Sequence, residues 1–210
     1  MFDLTGQTAL VTGGSRGLGQ EMAFALAERG ACVALCSRNG GEAEAAAARI
    51  ARETGQPALG LEADVTRVEQ VERFVREAAE RLGEPSILVN NAGVGLRKPL
   101  LELTDAEWRR ILEICLDGPF YVARAAAPRM LAAGYGRIIN ISSALGATAL
   151  PERGPYCAAK GGLLQLTKVM ALEWGGAAAS RSTRSARARS APPTTCAWRR
   201  TRSCTRATCA

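Results

Sequence analysis

Short apolar segments alternate with segments of helical period through the first 175 residues, and this alternation predicts an α/β fold with a doubly wound parallel sheet. The connections between segments are short, as expected where helices cover both faces of such a sheet. A glycine-rich stretch directly follows the first apolar segment, which is typical of Rossmann-like domains. With 210 residues, of which 47% are hydrophobic, the chain can bury one core. We therefore expect one Rossmann-like domain over residues 1–175.

The first strand and helix are joined by the glycine-rich stretch 12–19. The apolar run 8–11 precedes it, and a segment of helical period follows. Glycine allows a tight turn and close approach to a phosphate, while free N–H groups and the helix dipole favour the anion. An ordinary loop is the alternative interpretation. We predict a pyrophosphate-binding turn with these residues at the cofactor: Thr12, Gly13, Ser15, Arg16, Gly17, Leu18 and Gly19.

The remaining elements continue the same alternation. Further strands are predicted at 32–36, 87–89 and 137–141, and residues 57–61 lead into another that ends near Asp64. Further helices are predicted at 42–53, 65–82, 104–133 and 156–174. Thr104 and Glu107 have the spacing of a helix capping box. The sheet would therefore have five strands and would be truncated after the fifth strand and its following helix.

Residues 176–210 differ sharply from this domain. All 20 acidic residues lie at or before Glu173, whereas eight arginines and no acid follow Gly175. Without those arginines the chain has 19 basic and 20 acidic residues, so the net charge of +7 belongs to the tail. Its Arg, Ser, Ala, Thr and Pro residues show neither strand nor helix period, and we expect it to be disordered and not native to the fold. A nucleic-acid or membrane-surface role for this tail is a minor alternative, and we predict neither partner.

Cysteine usage and hydropathy argue against a disulfide-bonded, a metal-binding or a membrane-spanning protein. The seven cysteines are odd in number, lack paired C-x-x-C spacing and are accompanied by no histidine. We therefore predict neither a disulfide framework nor a metal site. The apolar stretches are shorter than the roughly 20 residues needed to cross a bilayer, and no secretory leader is recognisable. We expect a cytoplasmic protein.

Three residues near the end of the domain form a candidate catalytic set. Tyr156 and Lys160 are four residues apart in the last predicted helix and so lie on one face. A nearby ammonium favours the phenolate, which is expected to lower the tyrosine pKa towards a useful range for proton transfer. Ser143 follows the fifth predicted strand, at the edge where such sheets bind ligands. Its hydroxyl could hydrogen-bond a carbonyl oxygen as charge develops there.

At this point the chain resembles the short-chain dehydrogenase/reductase family. The resemblance covers about residues 1–175 and rests on five motifs in the family's order: Thr12 to Gly19, Asp64-Val65, Asn90-Asn91-Ala92-Gly93, Ile139 to Ser143, and Tyr156 to Lys160. It implies that Ser143, Tyr156 and Lys160 position and protonate the carbonyl, with the lysine also holding the nicotinamide ribose. It also implies that Asp64 and Val65 lie near the adenine and that Asn91, Ala92 and Gly93 line the cofactor cleft. The members most similar in these motifs are 3-oxoacyl-carrier-protein reductases and gluconate 5-dehydrogenases.

The charges of the residues that follow the second strand predict which nicotinamide cofactor the protein binds. An acid about twenty residues beyond the turn usually binds a cofactor that lacks the 2′-phosphate. This chain instead has Ser37 and Arg38 there, and Arg16 lies within the turn. Two cations and a hydroxyl suit a phosphate. We predict NADP(H) binding in preference to NAD(H). The alternative is that either arginine is only a solvated surface charge.

The chain departs from the family's pattern in two places. Cys115 stands where the family has an asparagine of its proton relay, and cysteine lacks the amide's hydrogen-bonding groups. After Gly175 the family's sixth strand, Pro-Gly motif, substrate-covering segment and seventh strand have no counterpart. We hypothesise that a shifted reading frame in GC-rich DNA produced the tail, which reading the downstream DNA in the other frames tests. The fifth strand would then be an exposed sheet edge.

The sequence thus predicts an NADP(H)-dependent oxidoreductase that interconverts a carbonyl and a secondary alcohol. The resemblance points to a 3-oxoacyl thioester or a keto or hydroxy sugar acid as the small-molecule substrate, with Tyr156 as acid and base. The alternative is a truncated cofactor-binding relic without turnover, which the missing strands and Cys115 favour. Intact relatives form homodimers or homotetramers, partly through the segment that has no counterpart here.

Overall fold

The protein contains five parallel strands in one sheet. A computed structural model describes residues 3–175, 183–184 and 194–199. The parallel strands lie in the order β3-β2-β1-β4-β5. They are β1 (Thr8–Thr12), β2 (Cys32–Ser37), β3 (Ala58–Glu62), β4 (Pro85–Asn90) and β5 (Tyr135–Asn140). The predicted Rossmann-like sheet is confirmed, and its strand order reverses between β1 and β4, where such folds bind their ligands.

Six α-helices connect and cover these strands. They are α1 (Gly17–Ala27), α2 (Gly40–Thr54), α3 (Val68–Leu82), α4 (Asp105–Leu112), α5 (Gly118–Ala133) and α6 (Gly154–Gly175). Thr104 caps α4 in the predicted capping box with Glu107. The long helix expected at 104–133 is instead divided by a π-helical turn, Glu113–Asp117, which ends two residues before Pro119. Proline cannot donate a backbone hydrogen bond, so the helical bonding pattern changes there.

Apolar side chains fill both faces of the sheet. On β1, Leu10 belongs to one buried cluster with Phe74, whereas Val11 belongs to a second cluster with Ile50. Successive strand residues point to opposite faces, so this division places a helical layer on each side of the sheet. The double layer leaves only the ends of the strands open to a ligand.

Two short strands lie beyond β5, where the sequence predicted an exposed edge. They are β6 (Thr183–Arg184) and β7 (Thr194–Arg199), and β7 pairs antiparallel with β5 from Tyr135 opposite Arg199 to Asn140 opposite Thr194. The β5 edge, which the sequence predicted to be exposed, is therefore paired at these residues, whereas the disorder expected of the tail stays a prediction. The unpaired N–H and C=O groups of an edge strand accept any extended backbone, with no need for a side-chain period. The rest of the predicted disordered tail, 176–210, lies outside the described residues.

Candidate active site

A cavity of about 400 Å³ opens at the carboxyl ends of β1, β2 and β4. Of the residues predicted to bind the cofactor, twelve line it: Gly13, Ser15, Arg16, Leu18, Gly19, Ser37, Arg38, Asp64, Val65, Asn91, Ala92 and Gly93. Thr12 and Gly17, which were also predicted to bind the cofactor, do not line this cavity. The sequence did not predict five further lining residues: Asn39, Glu42, Ala63, Val94 and Ile114.

The glycine-rich turn is fixed by hydrogen bonds to the end of β4. The Thr12 hydroxyl oxygen accepts from the backbone N–H groups of Asn91 and Ala92 at 3.0 Å and 3.1 Å. The Asn91 side-chain amide donates to the carbonyl oxygens of Thr12 and Gly13, each at 3.1 Å. A Cβ on Gly19 would overlap the Gly13 carbonyl, so only glycine fits this close approach. The Asn91 side-chain amide thus stabilises the turn, although the residue also lines the cavity.

The start of α1 suits a phosphate group. Arg16 is the N-cap residue, and no side chain accepts a hydrogen bond from the first N–H groups of this helix. By contrast, Asn39 and Thr104 provide side-chain caps for α2 and α4. Uncapped N–H groups together with the helix dipole favour an anion. The pyrophosphate of a dinucleotide would therefore fit here, against the glycine-rich turn and the start of α1.

Charges of both signs face the part of the cavity next to β2. Arg16 and Arg38 are exposed, and neither forms an ion pair with a carboxylate in the part of the chain that the structure describes. Glu42 also lines this part, where its carboxylate accepts from the Ser15 hydroxyl at 3.4 Å and from the Asn39 amide at 3.2 Å. Glu42 is held there as the third residue of α2, with Asn39 as the cap. The three-residue spacing between Asn39 and Glu42 is the sequence pattern that could have predicted the position of Glu42.

A second cavity, of about 530 Å³, adjoins the first and is lined by two of the three predicted catalytic residues. Leu18, Asn91, Gly93 and Val94 line both cavities. Tyr156 and Lys160 from α6 line the second cavity, next to the segment that follows β5. Ser143 lies close enough to Tyr156 to act in the direction of a lower pKa on its phenol through hydrogen bonding. The structure therefore brings the three predicted catalytic residues together beside the first cavity.

Lys160 is almost completely buried beneath the tyrosine. Its ammonium nitrogen lies 5.7 Å from the centre of the Tyr156 ring and donates to the Ile141 carbonyl oxygen at 2.7 Å. Burial lowers the pKa of Lys160 from its ordinary value. Burial also raises the pKa of Tyr156, and this outweighs the opposite effect of the hydrogen bond from Ser143. The expected lowering of the tyrosine pKa is thus wrong, because burial of the ring dominates.

The sequence model of the short chain dehydrogenase family matches residues 7–178, which is most of the chain. The protein belongs to the short-chain dehydrogenase family. It is 39% identical over 175 residues to D-threitol dehydrogenase of Mycolicibacterium smegmatis, covering 83% of this chain and 67% of that one. It is 38% identical over 180 residues to gluconate 5-dehydrogenase of Gluconobacter oxydans, covering 83% and 68%. The chain thus spans about two thirds of the length of these relatives.

A solved structure of the same family superposes well on this short-chain dehydrogenase. It is a gluconate 5-dehydrogenase from Burkholderia cenocepacia in complex with NADP and tartrate, with a TM-score of 0.78 and 41% sequence identity. The match covers 82% of this chain and 68% of that structure. The family assignment and the oxidoreductase class therefore rest on both sequence and fold.

Cys115, where the resemblance predicts an asparagine, lies next to the segment that follows β4. Its side chain is completely buried in the π-helical turn, where the thiol donates to the Val94 carbonyl oxygen at 3.4 Å and accepts from the Val94 N–H at 3.5 Å. A Cβ on Gly93 would lie 3.7 Å from this sulfur and 4.0 Å from the Lys160 nitrogen. Cys115 therefore fixes the segment after β4 beside Lys160, an arrangement that sequence spacing alone did not predict.

The described residues contain neither a metal-binding cluster nor a membrane-spanning helix. No group of three or more His, Cys, Asp or Glu side chains in the described part of this short-chain dehydrogenase could hold a metal ion. Among the described helices, none is both long and apolar enough to span a bilayer.

Proposed function

We propose that this protein is an NADP(H)-dependent oxidoreductase that interconverts a carbonyl group and a secondary alcohol. The observation that carries the proposal is the position of Tyr156 and Lys160 in the wall of a cavity that adjoins the glycine-rich turn, with Ser143 next to the tyrosine. A proton donor beside a dinucleotide cleft is what carbonyl reduction requires. Keto or hydroxy sugar acids are the favoured substrates, because relatives include gluconate 5-dehydrogenases and one of these is complexed with tartrate. A 3-oxoacyl thioester is the other class.

Each catalytic side chain has a separate role in this proposal. The bound cofactor would supply or accept the hydride. Tyr156 holds the proton that passes to the carbonyl oxygen, and its raised pKa keeps it protonated at neutral pH. Ser143 donates a hydrogen bond to the same oxygen as negative charge develops on it. Lys160 places a positive charge beneath the ring and stabilises the phenolate once the proton has left.

The cofactor would be held by the cavity described above. The pyrophosphate would bind the turn through Thr12 to Gly19 and the start of α1, and the adenosine would lie near Asp64 and Val65. Arg16, Ser37 and Arg38 would bind a 2′-phosphate, since a guanidinium offers paired donors to phosphate oxygens. Asn91, Ala92 and Gly93 would line the path towards Tyr156 and Lys160.

Thermal-shift titrations of the 210-residue chain with NADPH and NADH test the proposal. A ligand that binds only the folded state raises the midpoint of unfolding as its concentration increases. We expect NADPH to raise it at lower concentrations than NADH, and Arg38→Gln to reduce this preference by about tenfold. Arg76→Gln, an exposed arginine on α3, is the matched control and should change nothing. Absence of a shift with both cofactors would contradict the proposal.

A second candidate is a cofactor-binding protein without turnover. Cys115 satisfies its hydrogen bonds at Val94, and Lys160 donates to the Ile141 carbonyl, so neither side chain offers the relay that the family's asparagine implies. The chain also spans only about two thirds of its relatives' length. This candidate predicts a shift with NADPH but no hydride transfer to any carbonyl in a substrate screen. Oxidation of NADPH by a sugar-acid ketone would exclude it.

A further inference from the structure

Arg153 supplies a positive charge to the second cavity. It lies three residues before Tyr156, just ahead of the start of α6 at Gly154, and its half-buried side chain lines the same cavity as the tyrosine. Its charge acts on the tyrosine hydroxyl in the direction of a lower pKa. The guanidinium is therefore close enough to influence the group that transfers the proton.

This guanidinium has no carboxylate partner among the described residues. Its Nη1 donates only a long hydrogen bond, 3.4 Å, to the Leu96 carbonyl oxygen. The adjacent Glu152 does not neutralise it, because that carboxylate is paired with Arg97 Nε at 2.6 Å. A guanidinium has five N–H donors, so most of the hydrogen-bonding capacity of Arg153 is unused within the described part of the protein.

The backbone before Arg153 is held in an uncommon conformation. Glu152 has a φ of 64°, and it is the only non-glycine residue with a positive φ among those described. The Lys98 N–H donates to the Glu152 carbonyl at 3.0 Å, and the Cys157 N–H donates to the Arg153 carbonyl at 2.9 Å. Such a conformation costs on the order of 1–3 kcal/mol and persists where neighbouring contacts impose it. These bonds fix where the chain enters α6 and hence the position of Arg153.

The charges around the cavity have one sign. Arg153 and Lys160 are its two charged lining residues within the described part of the chain, and no Asp or Glu lines it there. Lys160 is buried and donates to the Ile141 carbonyl, which leaves Arg153 as the cation facing the open part of the cavity. A positively charged, partly apolar cavity favours an anionic ligand over a neutral one.

We propose that Arg153 binds a carboxylate of the substrate, so that the substrate is a hydroxy or oxo acid rather than a neutral alcohol, ketone or thioester. This inference rests on the proposed function, because it assigns the substrate class for the same cavity. The planar fork of the guanidinium matches the two oxygens of a carboxylate and would orient the acid while its carbonyl or hydroxyl carbon faces Tyr156. Arg153 is then a specificity-determining residue.

Isothermal titration of the 210-residue chain tests this assignment, in the absence and in the presence of NADP. The probes are D-gluconate, its neutral counterpart D-glucitol, and inorganic phosphate. We expect gluconate to bind the unaltered chain more tightly than glucitol or phosphate, and Arg153→Gln to weaken gluconate binding by about tenfold or more. Arg153→Lys keeps the charge without the fork and should lie in between. Glucitol binding should not change.

The controls separate this inference from the proposed function. Arg76→Gln should bind gluconate as the unaltered chain does, and circular dichroism establishes that each variant is folded. Equal gluconate affinity in Arg153→Gln and the unaltered chain would overturn the inference, as would equal affinity for phosphate and gluconate. In either case, a rise in the unfolding midpoint with NADPH would leave the proposed function standing. If NADPH did not raise the midpoint of the unaltered chain, the proposed function itself would be contradicted.

Discussion

The Asn90 side-chain amide donates to the Asn140 side-chain oxygen at 2.9 Å and so joins the ends of two neighbouring strands, β4 and β5. Both residues are buried. The Asn140 amide then donates to the Thr167 hydroxyl oxygen at 2.9 Å, and Thr167 donates to the Leu163 carbonyl within α6. This chain of hydrogen bonds fixes the helix that carries Tyr156 and Lys160 against the sheet.

Replacing Asn140 should therefore cost stability as well as function. Asn140→Leu leaves the buried Asn90 amide and the Thr167 hydroxyl without this partner, and we expect the free energy of unfolding to fall by about 2–4 kcal/mol. Thr167→Val, which preserves shape and removes one hydroxyl, should cost about 1–2 kcal/mol. Urea denaturation of both variants measures these losses. A loss below about 0.5 kcal/mol for Asn140→Leu would show that the network is not a significant support.

Adding a single methyl group to the turn should disrupt cofactor binding. The Cβ of Gly19→Ala would overlap the Gly13 carbonyl and approach the Asn91 side-chain nitrogen to 2.5 Å, so the backbone of the turn must move. We expect a loss of about 1–3 kcal/mol in stability and little remaining NADPH shift. Gly41→Ala is the control, since its Cβ meets only the Asn39 oxygen at 3.5 Å. That variant should be as stable as the parent or more so and should keep the NADPH shift.

Glu42 should weaken the binding of a phosphate-bearing cofactor. Its carboxylate lies in the same part of the cavity as Arg16 and Arg38, where it would repel a 2′-phosphate. Glu42→Gln keeps the size and the amide contacts, and we expect roughly threefold tighter NADPH binding with unchanged NADH binding. The gain should shrink at high salt because the groups are exposed. Glu44→Gln, an exposed residue on the same helix, is the control, and an equal gain there would contradict a specific effect.

The raised pKa of Tyr156 should be visible in its ionisation. Burial keeps the phenol protonated beyond its ordinary range, so Tyr156 should ionise above pH 10, as followed by ultraviolet absorbance and assigned with Tyr156→Phe. Because the folded-state pKa exceeds the unfolded-state value, the folded state retains a proton that the unfolded state releases. The free energy of unfolding should therefore fall as pH rises above about 10, and less so in Tyr156→Phe. Ionisation of Tyr156 below pH 10 would contradict the burial effect.

The sequence predicted the parts of the fold that depend on local pattern. Strands β1 to β5 were found because each is a short apolar run, and the capping box of Thr104 because its spacing is fixed along the chain. The π-helical turn was missed, since the helical period continues through it. Strand β7 was missed because its pairing with β5 uses backbone groups that no side-chain pattern records.

The candidate site was predictable wherever motif residues themselves form its wall. Glu42 and Arg153 were missed because each enters its cavity through the path of the backbone: Glu42 through the start of α2, and Arg153 through the bend at Glu152. The sequence also predicted the wrong direction for the shift of the Tyr156 pKa. Residue spacing places Lys160 nearby but does not reveal how deeply both side chains are buried. Burial depends on packing across the whole domain.

The central position of β1 has a consequence for synthesis of the chain. β1 is first in sequence but lies between β2 and β4, so one of its edges stays bare until residues 85–90 have left the ribosome. The Thr12 hydroxyl likewise lacks the N–H groups of Asn91 and Ala92 until then. The glycine-rich turn is thus translated before the segment that supports it, and it acquires its final shape only after Asn91 and Ala92 have emerged from the ribosome.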